Sequence, residues 1–176
     1  MAVARTYFVV MATVVGLIGT TSRAAAQEEG TTNGEWPAYG GDVANTRYSP
    51  LDQITAENFN QLELAWRFNT DNFGPVRERA FQSTPLMVDG VVYTTAGSRR
   101  AAVALDAKTG EILWLHRLDE GDRGAGAPRR LSGRGLAYRD DGGNGQIFYV
   151  TPGYRLIGLD ASTGNRLVGF GTDGIV

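Results

Sequence analysis

The sequence predicts an all-β chain built from repeated small sheets, and two observations carry that prediction. An eleven-residue segment occurs twice, at 104–114 and at 158–168, with the shared core Leu-Asp-Ala-x-Thr-Gly. Short apolar runs bounded by turn-forming residues recur along much of the remaining chain, as is typical of all-β architectures. A repeat of this period indicates a propeller, in which each sheet buries its faces against its neighbours.

Each copy of the repeat predicts a strand, a tight turn and a returning strand. Asp106 and Asp160 end the first strand, where a carboxylate accepts backbone N–H groups of the turn. Gly110 and Gly164 supply the positive φ that such a turn needs. Trp114 lies on the returning strand of the first copy, and we expect its large apolar ring to fill the gap between stacked sheets.

The other strands follow from the apolar runs and from the turns between them. The first blade is predicted at 84–88, 91–96, 101–105 and 112–117, and the second at 135–138, 146–151, 155–160 and 166–168. The connections at 119–130 and 140–145 are rich in Gly and polar residues and are expected to be exposed loops.

Ahead of the first blade the sequence predicts three less regular pieces. Residues 36–51 mix aromatic and turn-forming residues, which indicates an ordered but irregular segment. A short helix is expected at 55–61, with Thr55 as N-cap. A strand is expected at 62–69, with Trp66 in the role that Trp114 plays later.

The N-terminal 26 residues have the pattern of a secretory signal peptide. Arg5 precedes an apolar run, and Ala24 to Ala26 offer a small-residue cleavage site. Residues 27–35 are then expected to form a disordered lead-in to a propeller domain at 36–176. Export to the periplasm follows as an expectation, and an uncleaved N-terminal anchor is the alternative.

Composition excludes several function classes. The chain carries 17 Lys and Arg against 19 Asp and Glu, and a mildly acidic exported protein is a poor candidate for binding nucleic acid. It has no cysteine, which excludes a thiol nucleophile, a cysteine-ligated metal and structural disulfides.

The chain resembles the pyrroloquinoline quinone (PQQ) dehydrogenases. The segment Ala-x-Asp-x-x-Thr-Gly-x-x-x-Trp at 104–114 is similar to the tryptophan-docking motif of that family. Other similar stretches occur in the same order as in the family, at 36–42, 46–51, 83–93, 134–138 and 155–160. The second copy of the repeat departs from the motif at both ends, with Gly158 and Val168.

This resemblance implies an eight-bladed propeller of which the chain supplies the first two or three blades. It implies an enzyme that oxidises a sugar, polyol or alcohol, with PQQ as cofactor and a divalent cation, usually calcium, beside it. Electrons would pass to a quinone such as ubiquinone or to a cytochrome. The chain ends at Val176 in an apparent strand, so we expect an N-terminal fragment whose metal ligands and catalytic aspartate lie beyond that residue.

Two residues match family positions that contact the cofactor. Gln82, just before the Ser-Thr-Pro stretch, lies where family members place a side chain that bonds to PQQ. Arg134, in the Arg-Gly-Leu-Ala-Tyr stretch, matches a family arginine on the cofactor, and a guanidinium suits a polyanionic quinone.

Two departures point to the glucose, quinate and shikimate branch. The alcohol-oxidising branch has a glutamate in place of Gln82, and it has an adjacent cysteine pair where this chain has 129–132. The alternative function is a non-catalytic propeller that acts as a protein-binding scaffold. Known scaffolds of that kind carry a lipidated cysteine after the signal, which this chain lacks.

Other polar residues have simpler interpretations. His116 is the only histidine and is expected to pack or face solvent. Residues 140–144 resemble a calcium loop in composition but lack its closing glutamate, so a hairpin loop is expected. Arg77, Glu78 and Arg79 are most simply a solvated charge cluster, close enough to Gln82 to line the mouth of a pocket.

Overall fold

The computed structural model describes residue 31 and residues 33–176. The predicted signal peptide and residues 27–30 and 32 of the lead-in lie outside the described residues. Glu35, at the end of that lead-in, accepts hydrogen bonds from the Asp89 N–H at 3.0 and 3.2 Å. The segment at 36–51 is irregular as predicted, and Trp36 is fixed to Met87 by two backbone hydrogen bonds.

The first blade is the predicted four-stranded antiparallel sheet. Its strands follow one another in space as in sequence: β1 (Leu86–Val88), β2 (Val91–Ala96), β3 (Ala101–Asp106) and β4 (Ile112–His116). The Asp89-Gly90 turn joins β1 to β2 with both residues at positive φ, the geometry that a two-residue hairpin requires.

The second blade has three strands, β5 (Ala137–Asp141), β6 (Asn144–Val150) and β7 (Leu156–Asp160). Its first hairpin is tighter than the predicted loop at 140–145, because only Gly142 and Gly143 separate the strands. The predicted loop at 119–130 contains a short helix, α1 (Gly121–Ala125).

The prediction of a fourth strand at 166–168 is wrong. Arg166 makes a single bridge to Leu159, and the chain then leaves the sheet. It returns at Gly174, whose carbonyl accepts the Gly158 N–H at 2.9 Å. Val176 completes the return, since its N–H donates to Leu156 at 2.9 Å and its carbonyl accepts from Leu156 at 2.8 Å. An ion pair of 2.9 Å between Arg166 and Asp173 closes the excursion, so the fourth position of this blade is filled by two short pieces instead of a continuous strand.

The two predictions ahead of the first blade also need correction. Only Phe59–Gln61 is helical, as one turn of 3-10 helix, and Thr55 uses its hydroxyl to accept the Glu57 N–H at 3.3 Å. Residues 62–69 form no strand, since they have no ladder partner among the described residues. They lie instead across the first blade, where Trp66 and Phe68 pack on a cluster that includes Val103 and Leu105.

The turn chemistry of the repeat is confirmed in both copies. Asp106 accepts hydrogen bonds from the Thr109 N–H and hydroxyl at 2.7 and 3.1 Å, and Asp160 accepts the equivalent pair from Thr163 at 2.8 Å each. The bonds from Thr109 lower the pKa of the Asp106 carboxyl, and hydrogen bonds from Ser162 and Thr163 lower that of the Asp160 carboxyl. Gly110 and Gly164 have the predicted positive φ.

Trp66 and Trp114 each dock onto the turn of the structural unit that follows. Trp114 donates its Nε1–H to the Ala161 carbonyl at 2.8 Å and packs on Gly164. Trp66 repeats this arrangement one unit earlier, because its Nε1–H reaches the carbonyl of Ala107 at 3.0 Å and its ring packs on Gly110. The role predicted for Trp66 is therefore confirmed, although the strand around it is absent.

The main core lies between the two blades. The first blade contributes Leu86, Val88, Tyr93, Ala102, Ala104 and Trp114, and the second contributes Ile147, Tyr149, Ile157, Leu159 and Ala161. Burial of this apolar surface from water is the chief force that fixes the blades against each other. Loops at one end of both blades are thereby brought side by side, and the predicted site residues lie among them.

Candidate functional site

The segments that precede the first strand of each blade lie next to each other. Thr84 and Gly135 form a parallel bridge. Gly135 has a φ of +103°, and a Cβ there would lie 3.0 Å from the Thr84 carbonyl oxygen. A glycine is needed for so close an approach. Gln82 is two residues before one side of the bridge and Arg134 is one residue before the other, so the structure brings the two predicted site residues into one region.

The backbone beside Gln82 is anchored while its side chain is free. Ser83 is buried, and its Oγ bonds to the Thr94 and Thr95 hydroxyls at 3.1 and 3.0 Å. Gln82 and Arg134 are both exposed, and neither side chain makes a hydrogen bond or ion pair within the described residues. The site therefore offers one amide and one guanidinium on a fixed frame, a donor set suited to carboxylate and carbonyl oxygens.

Glu78 organises this region and was missed by the sequence analysis. Its Oε1 accepts the Ser132 N–H at 2.8 Å, and its Oε2 accepts the Gly97 N–H at 3.0 Å. The solvated-cluster interpretation is wrong for this residue, although its neighbour Arg77 does make an exposed ion pair with Asp71 at 3.4 Å. Ser132 is 54 residues away in sequence, so no local pattern signals the contact.

Arg100 holds the same loop from the other side. Its guanidinium donates to the carbonyl oxygens of Arg129 and Leu131 at 3.0 Å each, and to that of Val150 at 2.9 Å. Burial lowers the pKa of the Arg100 guanidinium. Since an arginine pKa lies far above neutrality, the group stays charged, and its bonds to carbonyl oxygens are charge-assisted.

A cavity of about 450 Å³ opens beside these loops. Glu120, whose side chain is 2% exposed, fixes one wall by accepting the Thr151 hydroxyl and the Gly153 N–H at 2.7 and 2.8 Å. Gln82 and Arg134 do not line this cavity. Its charged lining consists of Arg77, Arg79, Arg99, Arg130, Asp119 and Glu120.

The remaining polar candidates are structural. His116 is half-buried and its Nδ1 lies 3.0 Å from the Tyr149 hydroxyl. Burial, followed by the nearby Arg166, lowers the pKa of His116, while burial raises the pKa of Tyr149. The Asp140 carboxylate accepts the Gly143 N–H at 2.7 Å, which makes the predicted hairpin turn.

Among residue 31 and residues 33–176, no group of three or more His, Cys, Asp or Glu side chains is placed to hold a metal ion. In the part of the chain that the structure describes, no helix has the length and apolar character to cross a membrane.

Comparison with known proteins gives a consistent family. Residues 36–176 match the family model described as "PQQ: Glucose/ethanol/alcohol dehydrogenase, beta-propeller domain". The chain is 39% identical to the dehydrogenase subunit of a quinone alcohol dehydrogenase from Gluconobacter oxydans (strain 621H), over 79% of this chain and 17% of that protein. It is 36% identical to a 1-butanol dehydrogenase (cytochrome c) from Thauera butanivorans, over 86% of this chain and 20% of that protein.

The structural comparison agrees. A europium-containing methanol dehydrogenase matches 76% of this chain and 22% of its own length, with a TM-score of 0.61 and 30% identity. The chain thus spans about a fifth of the length of the curated relatives it matches. These relatives are alcohol dehydrogenases and not specifically members of the glucose, quinate and shikimate branch, so that finer prediction finds no support in them. On the match over residues 36–176, the chain belongs to the PQQ-dependent quinoprotein dehydrogenase family.

Proposed function

We propose that the full-length product of this gene oxidises an alcohol with PQQ as cofactor, and that this chain supplies one side of the cofactor site. The observation that carries the proposal is the Thr84–Gly135 bridge, which brings the segments of Gln82 and Arg134 together.

The residues present suit the cofactor chemically. Arg134 is an exposed cation with no carboxylate partner within the described chain, and PQQ is polyanionic. In the adjoining loop, the fully buried Ser132 has a hydroxyl with no hydrogen-bond partner among the described residues, a polar group that a ligand would satisfy. When bound, PQQ would supply the hydride-accepting chemistry of the oxidation. Arg134 would bind its acidic groups, and Gln82 would orient its polar edge by donating and accepting hydrogen bonds.

For the metal we propose only the class of cation and no ligands. A cation beside PQQ, calcium or a lanthanide, is supported by the family and by the europium enzyme among the structural neighbours. The described residues include no fitting set of ligands, so we assign no residue of this chain to the metal and derive no step through it.

The substrate, the electron acceptor and the cellular location are also proposals. A primary alcohol is favoured by the names of the relatives, with a polyol or sugar as the alternative. The names of two relatives specify a quinone and cytochrome c, which supports an acceptor of one of these two classes. The signal-like pattern at 1–26 supports export to the periplasm.

The test is a reconstitution of the full-length gene product. The protein is purified without cofactor, loaded with PQQ and either Ca²⁺ or a lanthanide, and assayed by dye reduction with ethanol, 1-butanol, glycerol and glucose. We expect PQQ-dependent turnover with an alcohol, lowered at least tenfold by Arg134→Lys. The matched control is Arg139→Lys, because Arg139 makes only an exposed ion pair with Asp141. A protein that binds no PQQ would refute the proposal and favour the scaffold.

A further inference from the structure

We propose that Glu78 is a positioning residue for the cofactor site, and that its carboxylate sets the distance between the segments that carry Gln82 and Arg134. The inference rests on the proposed function, since it assumes that these two residues contact PQQ. It assigns to Glu78 no contact with the cofactor and no part in the chemistry.

Two contacts join the segments that carry Gln82 and Arg134, one after these residues in sequence and one before them. The Thr84–Gly135 bridge lies just after them in sequence. The hydrogen bond from the Ser132 N–H to Glu78 Oε1, at 2.8 Å, lies just before them. Gln82 and Arg134 are therefore enclosed between two crosslinks, and neither segment can slide past the other without breaking one of them.

The Glu78 carboxylate is also bound to the first blade. Its second oxygen accepts the Gly97 N–H at 3.0 Å, and Gly97 follows β2 directly in the turn to β3. The carboxylate thus connects the loop at 129–132 to the rigid first blade, and not merely to another loop. Arg100, in the same turn, binds the carbonyl oxygens of Arg129 and Leu131 at 3.0 Å, so donors and acceptors of the loop are both held.

The present chain contains no cysteine, and its loop cannot be stiffened covalently. We infer that the Glu78 carboxylate and the Arg100 guanidinium restrain the loop instead, through charge-assisted hydrogen bonds to its backbone.

A carboxylate is specifically required for the double contact. Glu78 accepts one N–H on each oxygen, whereas a glutamine in its place has one acceptor oxygen and one NH₂ group. In Glu78→Gln, one of the two N–H groups therefore faces another donor. We expect the 129–132 loop to loosen while the shape of the side chain is kept.

The experiment measures PQQ affinity of the cofactor-free full-length gene product by the absorbance of bound PQQ. Four proteins are compared: the native sequence, Glu78→Gln, Arg134→Lys and the double variant. Glu111→Gln is the matched control, because Glu111 is exposed at the opposite end of the first blade and its side chain has no hydrogen bond among the described residues. We expect Glu78→Gln to raise the Kd about tenfold, Glu111→Gln to leave it unchanged, and the Ser132 N–H to exchange faster in Glu78→Gln.

The double variant separates positioning from general stability. If Glu78 acts through Arg134, the combined loss of affinity is clearly smaller than the product of the two single losses. A Kd for Glu78→Gln within twofold of the native value, or losses that multiply, would overturn the positioning role while Arg134→Lys still supported the proposed function. Failure of the native protein to bind PQQ would overturn both. If Glu78→Gln does not fold, Glu78→Asp replaces it, with a smaller rise in Kd expected and the same unchanged Kd as the refuting result.

Discussion

Gly164→Ala tests the docking of Trp114 onto the second blade. Gly164 has a φ of +70°, and a Cβ at this position would lie 2.6 Å from Trp114 Cε3. Gly142 offers a matched control, since it has a φ of +65° in the β5–β6 turn and nothing within 4 Å of its would-be Cβ. Alanine at either position bears the cost of the left-handed conformation, but only at Gly164 does it also meet a buried ring.

The expected magnitudes follow from these two contributions. The left-handed conformation costs about 1–2 kcal/mol for a residue with a Cβ. Overpacking against a fixed neighbour adds about 1–3 kcal/mol. Trp114 is 9% exposed and held by its hydrogen bond to Ala161, so its ring has little freedom to move away. We therefore expect Gly164→Ala to lower the free energy of unfolding by about 1–3 kcal/mol more than Gly142→Ala.

The assay is urea unfolding of the full-length gene product, followed by far-UV circular dichroism and compared between the two variants. Gly110→Ala extends the test, since a Cβ there would lie 2.6 Å from Trp66 Cδ2 at a φ of +75°. Equal losses of stability for Gly164→Ala and Gly142→Ala would refute the reasoning, because the ring would then impose no constraint on the turn.

Three further predictions concern Asp160, His116 and the hydrogen bond of Trp114. Hydrogen bonds from Ser162 and Thr163 keep the pKa of folded Asp160 below 3.8. The stability that this carboxylate adds is therefore present above pH 3.8 and is lost as pH falls through the folded pKa. Asp160→Asn should flatten the acid limb of a stability-versus-pH curve measured by urea unfolding. Burial lowers the pKa of His116 below 6.5. The His116 ring therefore takes up a proton on unfolding, and the stability of the fold declines as pH falls below 6.5. An NMR titration of the ring that gave a pKa at or above 6.5 would contradict this. Trp114→Phe loses the bond to Ala161 and should cost about 1 kcal/mol for the hydrogen bond in the same urea assay, with no loss at all as the contrary result.

The blades were predictable because their information is local. The turns at Asp106 and Asp160 combine a carboxylate, a threonine and a glycine within five residues, and each contact lies within that span. Trp114 was predictable for a related reason, since it lies four residues after Gly110 and a ring of that size needs a gap between sheets. The same logic located Trp66 even though its segment forms no strand.

The errors arose where distant or downstream contacts decide the structure. Residues 62–69 have a strand-like pattern, but strand assignment needs a ladder partner, and they pack by their side chains alone. Residues 166–168 have a strand-like position, but the chain leaves the sheet there and Val176 takes up the pairing with Leu156. Neither outcome follows from the residues themselves.

The candidate site likewise contains residues that the sequence predicted and one that it did not. Gln82 and Arg134 were found through motifs, and the Thr84–Gly135 bridge explains why their segments meet. The role of Glu78 was not predicted because a glutamate between Arg77 and Arg79 is ordinary for a solvated loop. Its two hydrogen bonds reach Gly97 and Ser132, which are distant in sequence. The Ser132 contact exists only once the loop that precedes the second blade has packed against the first.

The most direct test of the central claim is a crystal structure of the full-length gene product with PQQ bound. We expect the Gln82 amide and the Arg134 guanidinium both to lie within hydrogen-bond distance of the cofactor, with the Glu78 to Ser132 hydrogen bond intact beside it. A cofactor bound away from both side chains would refute the assignment of Gln82 and Arg134 to the cofactor site, whatever the activity of the enzyme.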